Sequence, residues 1–185
     1  DYTCFKTTET DPLNNGKVTY NDIRGRTRAV QDDGPNGDIW TDFRYNLVSE
    51  LLLVTDNEGN TTEYTYDQLG RRLSAKHPDA GLTEFTYDIV GNLIAKTTPN
   101  TRVDNESIKY TYEFERLVQI DYPKNYQNMV RYTYGKPDDK HNRAGRIWLQ
   151  EDASGGQEFF FGPLGEVVKN IRTVLVSNIR LITYV

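Results

Sequence analysis

The sequence predicts an all-β fold: antiparallel β-hairpin repeats in a spiralling or partly open barrel-like sheet, with little or no helix. Three observations predict it. First, a motif recurs. Glu63-Tyr64-Thr65-Tyr66-Asp67-Gln68-Leu69-Gly70-Arg71 is followed by Glu84-Phe85-Thr86-Tyr87-Asp88-Ile89-Val90-Gly91-Asn92, and Tyr66 and Tyr87 are 21 residues apart. Second, aromatic residues alternate with polar ones at a spacing of two, which places both aromatics on one face of a strand. Third, turn signals recur about every 8–12 residues, the spacing of an all-β chain. No window of the chain shows the apolar period of a helix, and Gly or Pro interrupts most of them.

Each element follows from this pattern. Residues 1–10 read as a partial repeat or N-terminal edge strand. Asp11-Pro12-Leu13-Asn14-Asn15-Gly16 is a turn. Looser copies of the motif lie at Val18-Thr19-Tyr20-Asn21, Phe43-Arg44-Tyr45-Asn46, Tyr110-Thr111-Tyr112-Glu113, Tyr132-Thr133-Tyr134-Gly135 and Phe159-Phe160-Phe161-Gly162-Pro163-Leu164-Gly165. The anchors are therefore Tyr20, Tyr45, Tyr66, Tyr87, Tyr112, Tyr134 and Phe161, with steps of 25, 21, 21, 25, 22 and 27 residues. They fill residues 11–172 and leave no room for a separate catalytic domain. After each anchor, Asp-x-x-Gly forms a turn, because Asp caps its own backbone and Gly accepts positive φ. A second short strand follows, such as Arg71-Arg72-Leu73-Ser74-Ala75, and then a second turn, such as His77-Pro78-Asp79-Ala80-Gly81 or Asp56-Asn57-Glu58-Gly59. Ser49 stands where Gly70 and Gly91 stand, which predicts a less tight turn. Lys136 to Ala144 is an insertion, and Asn100 to Glu106 is a long linker; both are expected as loops. Residues 173–185 read as the start of a truncated further repeat. The missing initiator Met and the apolar final segment predict a piece of a longer chain.

Composition supports a polar but foldable chain. Of 185 residues, 36% are hydrophobic and 12% aromatic, including 13 Tyr. Mean hydropathy is -0.72. Disordered segments are poor in aromatics, so the tyrosines argue for folding. Net charge is -5, which argues against a nucleic-acid partner because such proteins present a basic face. No apolar run approaches the roughly 18 residues of a membrane span, so no membrane insertion by this segment is expected. No signal-peptide pattern is present. Cys4 is the single cysteine, which excludes an internal disulfide and a cysteine zinc site.

No catalytic, cofactor or metal site emerges from the residues. His77 lies in a turn, and His141 lies in the insertion beside Asp138, Asp139, Asn142 and Arg143, where a solvated polar loop is expected. Asp56-Asn57-Glu58-Gly59-Asn60 lacks the alternating ligands and distal Glu of a calcium loop. The serines lack a nucleophile elbow, and no Gly-rich phosphate loop is present. The chain is expected not to be an enzyme. Tyr64, Tyr66, Phe85, Tyr87, Tyr110, Tyr112, Tyr132 and Tyr134 are expected to stack across neighbouring strands, where each aromatic pair contributes on the order of 0.2–1 kcal/mol. The functional alternative is a sugar-binding stripe, with Trp40 and Trp148 as the candidate contacts.

Tyr-Asp-x-x-Gly-Arg at a period of about 21 resembles the YD-repeat, or Rhs, family. The residues that carry the resemblance are Tyr66, Asp67, Gly70 and Arg71, then Tyr87, Asp88 and Gly91, with Tyr112, Tyr134 and Gly165 in relaxed copies. The turns at Asp11-Pro12 and His77-Pro78 also look like that family's inter-repeat links. The resemblance implies a long antiparallel sheet spiralling around a hollow interior. It implies a structural role, either enclosing a toxic C-terminal domain or forming a cell-surface barrel used in adhesion. The implied partners are the remaining repeats and the C-terminal effector domain of the parent chain, or a glycan or cell-surface receptor. The implied location is secreted or cell surface. The toxin members' aspartate-containing self-cleavage motif is absent, and Asp11-Pro12 reads as a turn.

Overall fold

A computed structural model describes residues 5–176 and 179–184, with the backbone alone from residue 176 onward. Cys4, the first residues of the expected N-terminal strand, and residues 177, 178 and 185 of the expected final repeat lie outside the described residues. The chain packs as two units, Asp1–Phe85 and Thr86–Val185.

The first unit is a meander of β1 (Phe5–Thr10), β2 (Gly16–Asn21), β3 (Thr27–Asp32), β4 (Ile39–Tyr45), β5 (Leu51–Thr55), β6 (Thr61–Tyr66), β7 (Arg72–His77) and most of β8 (Gly81–Tyr87). Each strand pairs antiparallel with its sequence neighbours. The second unit holds β9 (Leu93–Thr97), one helical turn α1 (Pro99–Arg102), β10 (Ile108–Glu113), β11 (Arg116–Asp121), a 3-10 turn at Tyr126–Asn128, β12 (Val130–Tyr134), β13 (Ile147–Asp152), β14 (Gly155–Phe161), β15 (Val167–Val176) and β16 (Ile179–Tyr184). It too is an antiparallel meander. The all-β hairpin architecture matches the sequence expectation, with each unit an open sheet. The expected linker loop contains the helical turn α1, which Thr98 caps while Pro99 occupies its first position, a favoured arrangement.

One turn chemistry closes seven of the hairpins. In the five-residue turns 11–15, 22–26, 46–50, 56–60, 67–71, 88–92 and 162–166, the first N–H donates to the fifth carbonyl and the fourth N–H donates to the first carbonyl. The fourth residue has φ between 66° and 109°. This is a type I turn followed by a left-handed residue. Where the first residue is Asp, its carboxylate accepts backbone N–H groups from the third and fifth residues, as Asp67 does from Leu69 and Arg71 at 2.9 Å each. The fifth side chain completes the clamp. Arg71 Nε donates to Asp67 at 2.6 Å, and Asn15, Asn60 and Asn92 donate to Asp11, Asp56 and Asp88. In the turn 162–166 the first residue is Gly162, and the Glu166 carboxylate caps Leu164 N–H instead.

Two sequence expectations change here. Ser49 adopts φ 71° and closes a turn of the same geometry as Gly70, so that turn is not looser. The hydrogen bonds hold Ser49 in a conformation that costs an L-residue about 1–2 kcal/mol. The expected tyrosine stack also does not form as drawn. Registers place Ala75 opposite Tyr64, Ile120 opposite Tyr110 and Gln150 opposite Tyr132. The second strand of each repeat separates successive anchors, and two inter-strand steps amount to about 10 Å.

A register shift recurs in six hairpins, always at the start of the second strand. The extra residues are Arg28, Leu52, Leu73, Val118, Trp148 and Val168. Such bulges bend the strand and increase its twist. No large side chain among the described residues is fully buried. The accessible surface is 13189 Å², against roughly 9,100 Å² for a compact globule of this mass. Burial instead alternates, so that Thr41, Phe43 and Tyr45 are half-buried while Asp42 and Arg44 are exposed.

Candidate functional site

The anchors sit on the half-buried face and bind successive repeats together. Tyr66 lies just before the turn head Asp67, and its hydroxyl donates to the Leu51 carbonyl of the preceding repeat at 2.9 Å. Tyr134 does the same to Leu117 at 3.1 Å. The side chain that closes each turn also reaches forward. Arg26 lies 5.0 Å over the Tyr45 ring, Arg116 lies 5.4 Å over Tyr134, and Arg146 lies 5.5 Å over Phe161. Anchor and arginine therefore form a clasp from one repeat to the next. Gly70, Gly91 and Gly165 occupy the left-handed turn positions, with φ of 79°, 109° and 86°. Tyr87 lies at the end of β8 beside Asp88, and Tyr112 precedes a two-residue turn at Phe114-Glu115. Burial pushes the Tyr110, Tyr112 and Tyr132 hydroxyls above the usual tyrosine range.

The first repeat departs from the expected alignment. Its turn begins at Asp22, whose N–H meets the Arg26 carbonyl at 2.9 Å. Asn21, not Tyr20, therefore occupies the anchor position, and Tyr20 points to the opposite face. There it pairs with Ala29, which in turn pairs with Asp42. Ala29 is small, so Tyr20 from β2 and Trp40 from β4 meet over it, with ring centroids 5.6 Å apart and planes 25° apart. Lys6 approaches the Tyr20 ring at 5.9 Å.

The two rings form one wall of a cleft of about 510 Å³ that also receives Arg28, Asp42, Arg44 and Thr55. Trp40 retains 37% of its surface. Several contacts hold the wall. Trp40 N–H donates to Asn57 Oδ1 at 3.1 Å. Tyr20 hydroxyl donates to Gln31 Oε1 at 3.0 Å, and Gln31 Nε2 donates to Asp38 at 2.6 Å. Asp42 and Arg44 make no side-chain hydrogen bond or ion pair with another described residue.

Trp148 is placed differently. Arg143 lies 4.4 Å over its ring and 4.5 Å over Phe160, and also pairs with Glu158 at 2.5 Å. Arg143 Nε donates to the Phe159 carbonyl, and Asn142 Nδ2 donates to the Phe161 carbonyl. His141 meets Phe160 edge-on at 5.0 Å. The insertion is largely exposed, as expected of a solvated loop, but a basic latch from Asn142 and Arg143 tethers it to β14. Gly135 permits this, because a Cβ there would lie 2.2 Å from the Arg143 carbonyl oxygen. His77 caps its own turn, accepting from Asp79 and Ala80 N–H. Among the described residues no group of three or more His, Cys, Asp or Glu is placed to hold a metal ion.

The sequence reasoning missed the Tyr20–Trp40 pairing. Its signal was the turn head Asp22, since Asp22 to Arg26 fits the Asp-x-x-Gly-Arg pattern better than Asn21 does.

Comparison with known proteins gives a family match for one stretch of the chain and a fold likeness for most of it. The RHS Repeat family model matches residues 45–82, the stretch holding the Tyr66, Asp67, Gly70 and Arg71 clasp. No curated protein sequence matches the chain. The fold is similar to the crystal structure of TcdB2-TccC3-Cdc42, with TM-score 0.65, 20% identity, and coverage of 90% of this chain and 9% of that one. The structure of TcdB2-TccC3 without its hypervariable C-terminal region gives TM-score 0.65, 20% identity and coverage of 93% and 9%. A mutant Tc holotoxin pore of Photorhabdus luminescens gives TM-score 0.63, 20% identity and the same coverage. The chain thus spans about a tenth of the length of those chains. Residues 45–82 thus match the RHS repeat model, and the hairpin meander around them shares its fold with these structures.

Proposed function

We propose that the chain is a non-catalytic structural segment of a YD-repeat shell that encapsulates or presents a toxin or effector domain of a larger secreted or surface protein. Residues 11–172 are the repeat array, residues 1–10 an edge strand, and residues 173–185 the start of a further repeat. The observation that carries this reading is the clasp between successive repeats in units that show no buried core among the described residues. Such units are stable through their neighbours, as in other repeat proteins.

The turns support the same reading. Ile23, Leu47 and Leu69 are 79%, 86% and 76% exposed in the first unit. Ile89, Phe114 and Leu164 are 98%, 90% and 94% exposed in the second. Adjoining repeats of the parent chain are the natural cover for these side chains. The partners are those repeats and the C-terminal effector domain. The similar toxin structures favour this role and a secreted location.

The test is protease protection in the intact parent chain. Its C-terminal domain should survive a protease dose that digests the same domain expressed alone. Equal digestion rates would sink the proposal.

A further inference from the structure

We infer that Asn36-Gly37, in the connection between β3 and β4, is a site of spontaneous deamidation through a cyclic imide. The inference does not rest on the shell reading. Its basis is a contrast between two identical dipeptides. The chain holds two Asn-Gly steps, Asn15-Gly16 and Asn36-Gly37, and the fold treats them differently.

The reaction needs an accessible backbone nitrogen next to an asparagine carboxamide. The Gly37 nitrogen loses its proton and attacks Asn36 Cγ. The new N–Cγ bond forms as the Cγ–Nδ2 bond breaks, and the amide leaves with that proton as ammonia. Water then opens the ring at either carbonyl. Opening at Cγ gives aspartate. Opening at the Asn36 main-chain carbonyl gives isoaspartate, with the chain running through the side chain. Nothing is oxidised or reduced, and water is the only co-reactant. Glycine is the favourable successor, because no Cβ shields its nitrogen and its backbone turns freely toward Cγ.

At Asn15-Gly16 both reacting groups are engaged. Asn15 Nδ2 donates to Asp11 Oδ2 at 2.8 Å, and Gly16 N–H donates to Asp33 Oδ2 at 2.6 Å. Bonds to a carboxylate are among the strong ones. Gly16 also opens β2 and pairs with Thr10. Asn36-Gly37 lacks this clamp. Asn36 is exposed, and its side chain makes no hydrogen bond with another described residue. Gly37 N–H meets only the Gly34 carbonyl, at 3.3 Å, just beyond the usual range of such bonds. Gly37 is exposed at φ 122°, and nothing lies within 4 Å of the place a Cβ would take. The new carboxylate adds a negative charge beside Asp38, whose side chain holds Gln31.

The experiment is tryptic peptide mapping by mass spectrometry after the folded, purified chain has stood at mildly alkaline pH. Asn36 falls in the peptide 29–44 and Asn15 in the peptide 7–17. Peptide 29–44 should gain the mass of an amide-to-acid exchange and split into two chromatographic forms. One of them should accept a methyl group from protein isoaspartyl methyltransferase. Conversion should be about tenfold or more faster than in peptide 7–17, where the carboxylate-bound N–H must first be released. In urea the two peptides should convert at similar rates. Asn36→Gln should abolish the mass gain in peptide 29–44. An amide that persists there, or conversion no faster than in peptide 7–17, overturns the inference. So does a mass gain that survives Asn36→Gln, or a rate difference that persists in urea.

Discussion

At the scale of single residues, the turn clamp explains why Asp, Gly and Arg stand at fixed offsets. The Asp carboxylate satisfies two backbone N–H groups and the fifth side chain at once, so it is held ionised. Hydrogen bonds from the fifth side chain lead in lowering Asp11, Asp22, Asp56 and Asp88 below the usual carboxylate range. For Asp67, burial works upward, but the Arg71 hydrogen bonds outweigh it and the net shift is also downward. A carboxylate depressed on folding adds stability above its unfolded pKa of about 3.9, and that stability is lost as pH falls through the folded value. The melting temperature should therefore be flat down to about pH 5 and fall below about pH 4. A melting curve that improves on acidification would contradict the clamp. Ser49 gives a second residue-level prediction. Ser49→Gly relieves left-handed strain and loses only a 3.3 Å contact from Arg26. The denaturation midpoint should rise, by about 0.5–1 kcal/mol of stability. Gly70→Ser should do the opposite.

At the scale of elements, hairpins differ in how their turns are made. Phe114 and Glu115 both have positive φ, 48° and 64°, in a two-residue turn. This turn type prefers Asn-Gly. The double change Phe114→Asn and Glu115→Gly should stabilise β10–β11 by about 1–2 kcal/mol, read by urea denaturation. The insertion is the other case. Arg143 is only 13% exposed and ties Trp148, Phe160 and Glu158 together. Arg143→Ala should free residues 136–144 and cost about 1–2 kcal/mol, since a desolvated cation over aromatic rings is worth that much. In a Trp40→Phe background the remaining tryptophan emission should shift red, and trypsin should cut sooner at Lys140. An unchanged cleavage rate would argue against the latch.

At the scale of the whole molecule, the absence of fully buried large side chains among the described residues shifts stability onto strand pairing and inter-repeat clasps. Tyr66→Phe and Tyr134→Phe each remove one hydroxyl-to-carbonyl bond between repeats. Each should cost about 0.5–1.5 kcal/mol. β1 is exposed along its whole length and pairs only with β2. Open edges template further pairing, so light scattering of the purified chain should grow with concentration. Thr8→Lys on that edge should slow it. Scattering that ignores both concentration and the edge charge would show that association begins elsewhere.

Much of this was legible in the sequence because the causes are local. Tyrosine at a spacing of two and Asp-x-x-Gly-Arg at a spacing of four act within one hairpin, and the hairpin pattern follows from them. Ser49 misled because glycine's conformational freedom is a preference, and the Asn46–Glu50 hydrogen bonds override it. Tyr20 misled because a one-residue offset in turn position flips a strand's faces, and only the hydrogen-bonded register reveals it. The same holds for the six bulges, for Trp40 meeting Tyr20 across Ala29, and for Arg143 closing over Trp148. Local chemistry chose strands and turns. Contacts between residues far apart in sequence depend on register, and register exists only once the strands have paired.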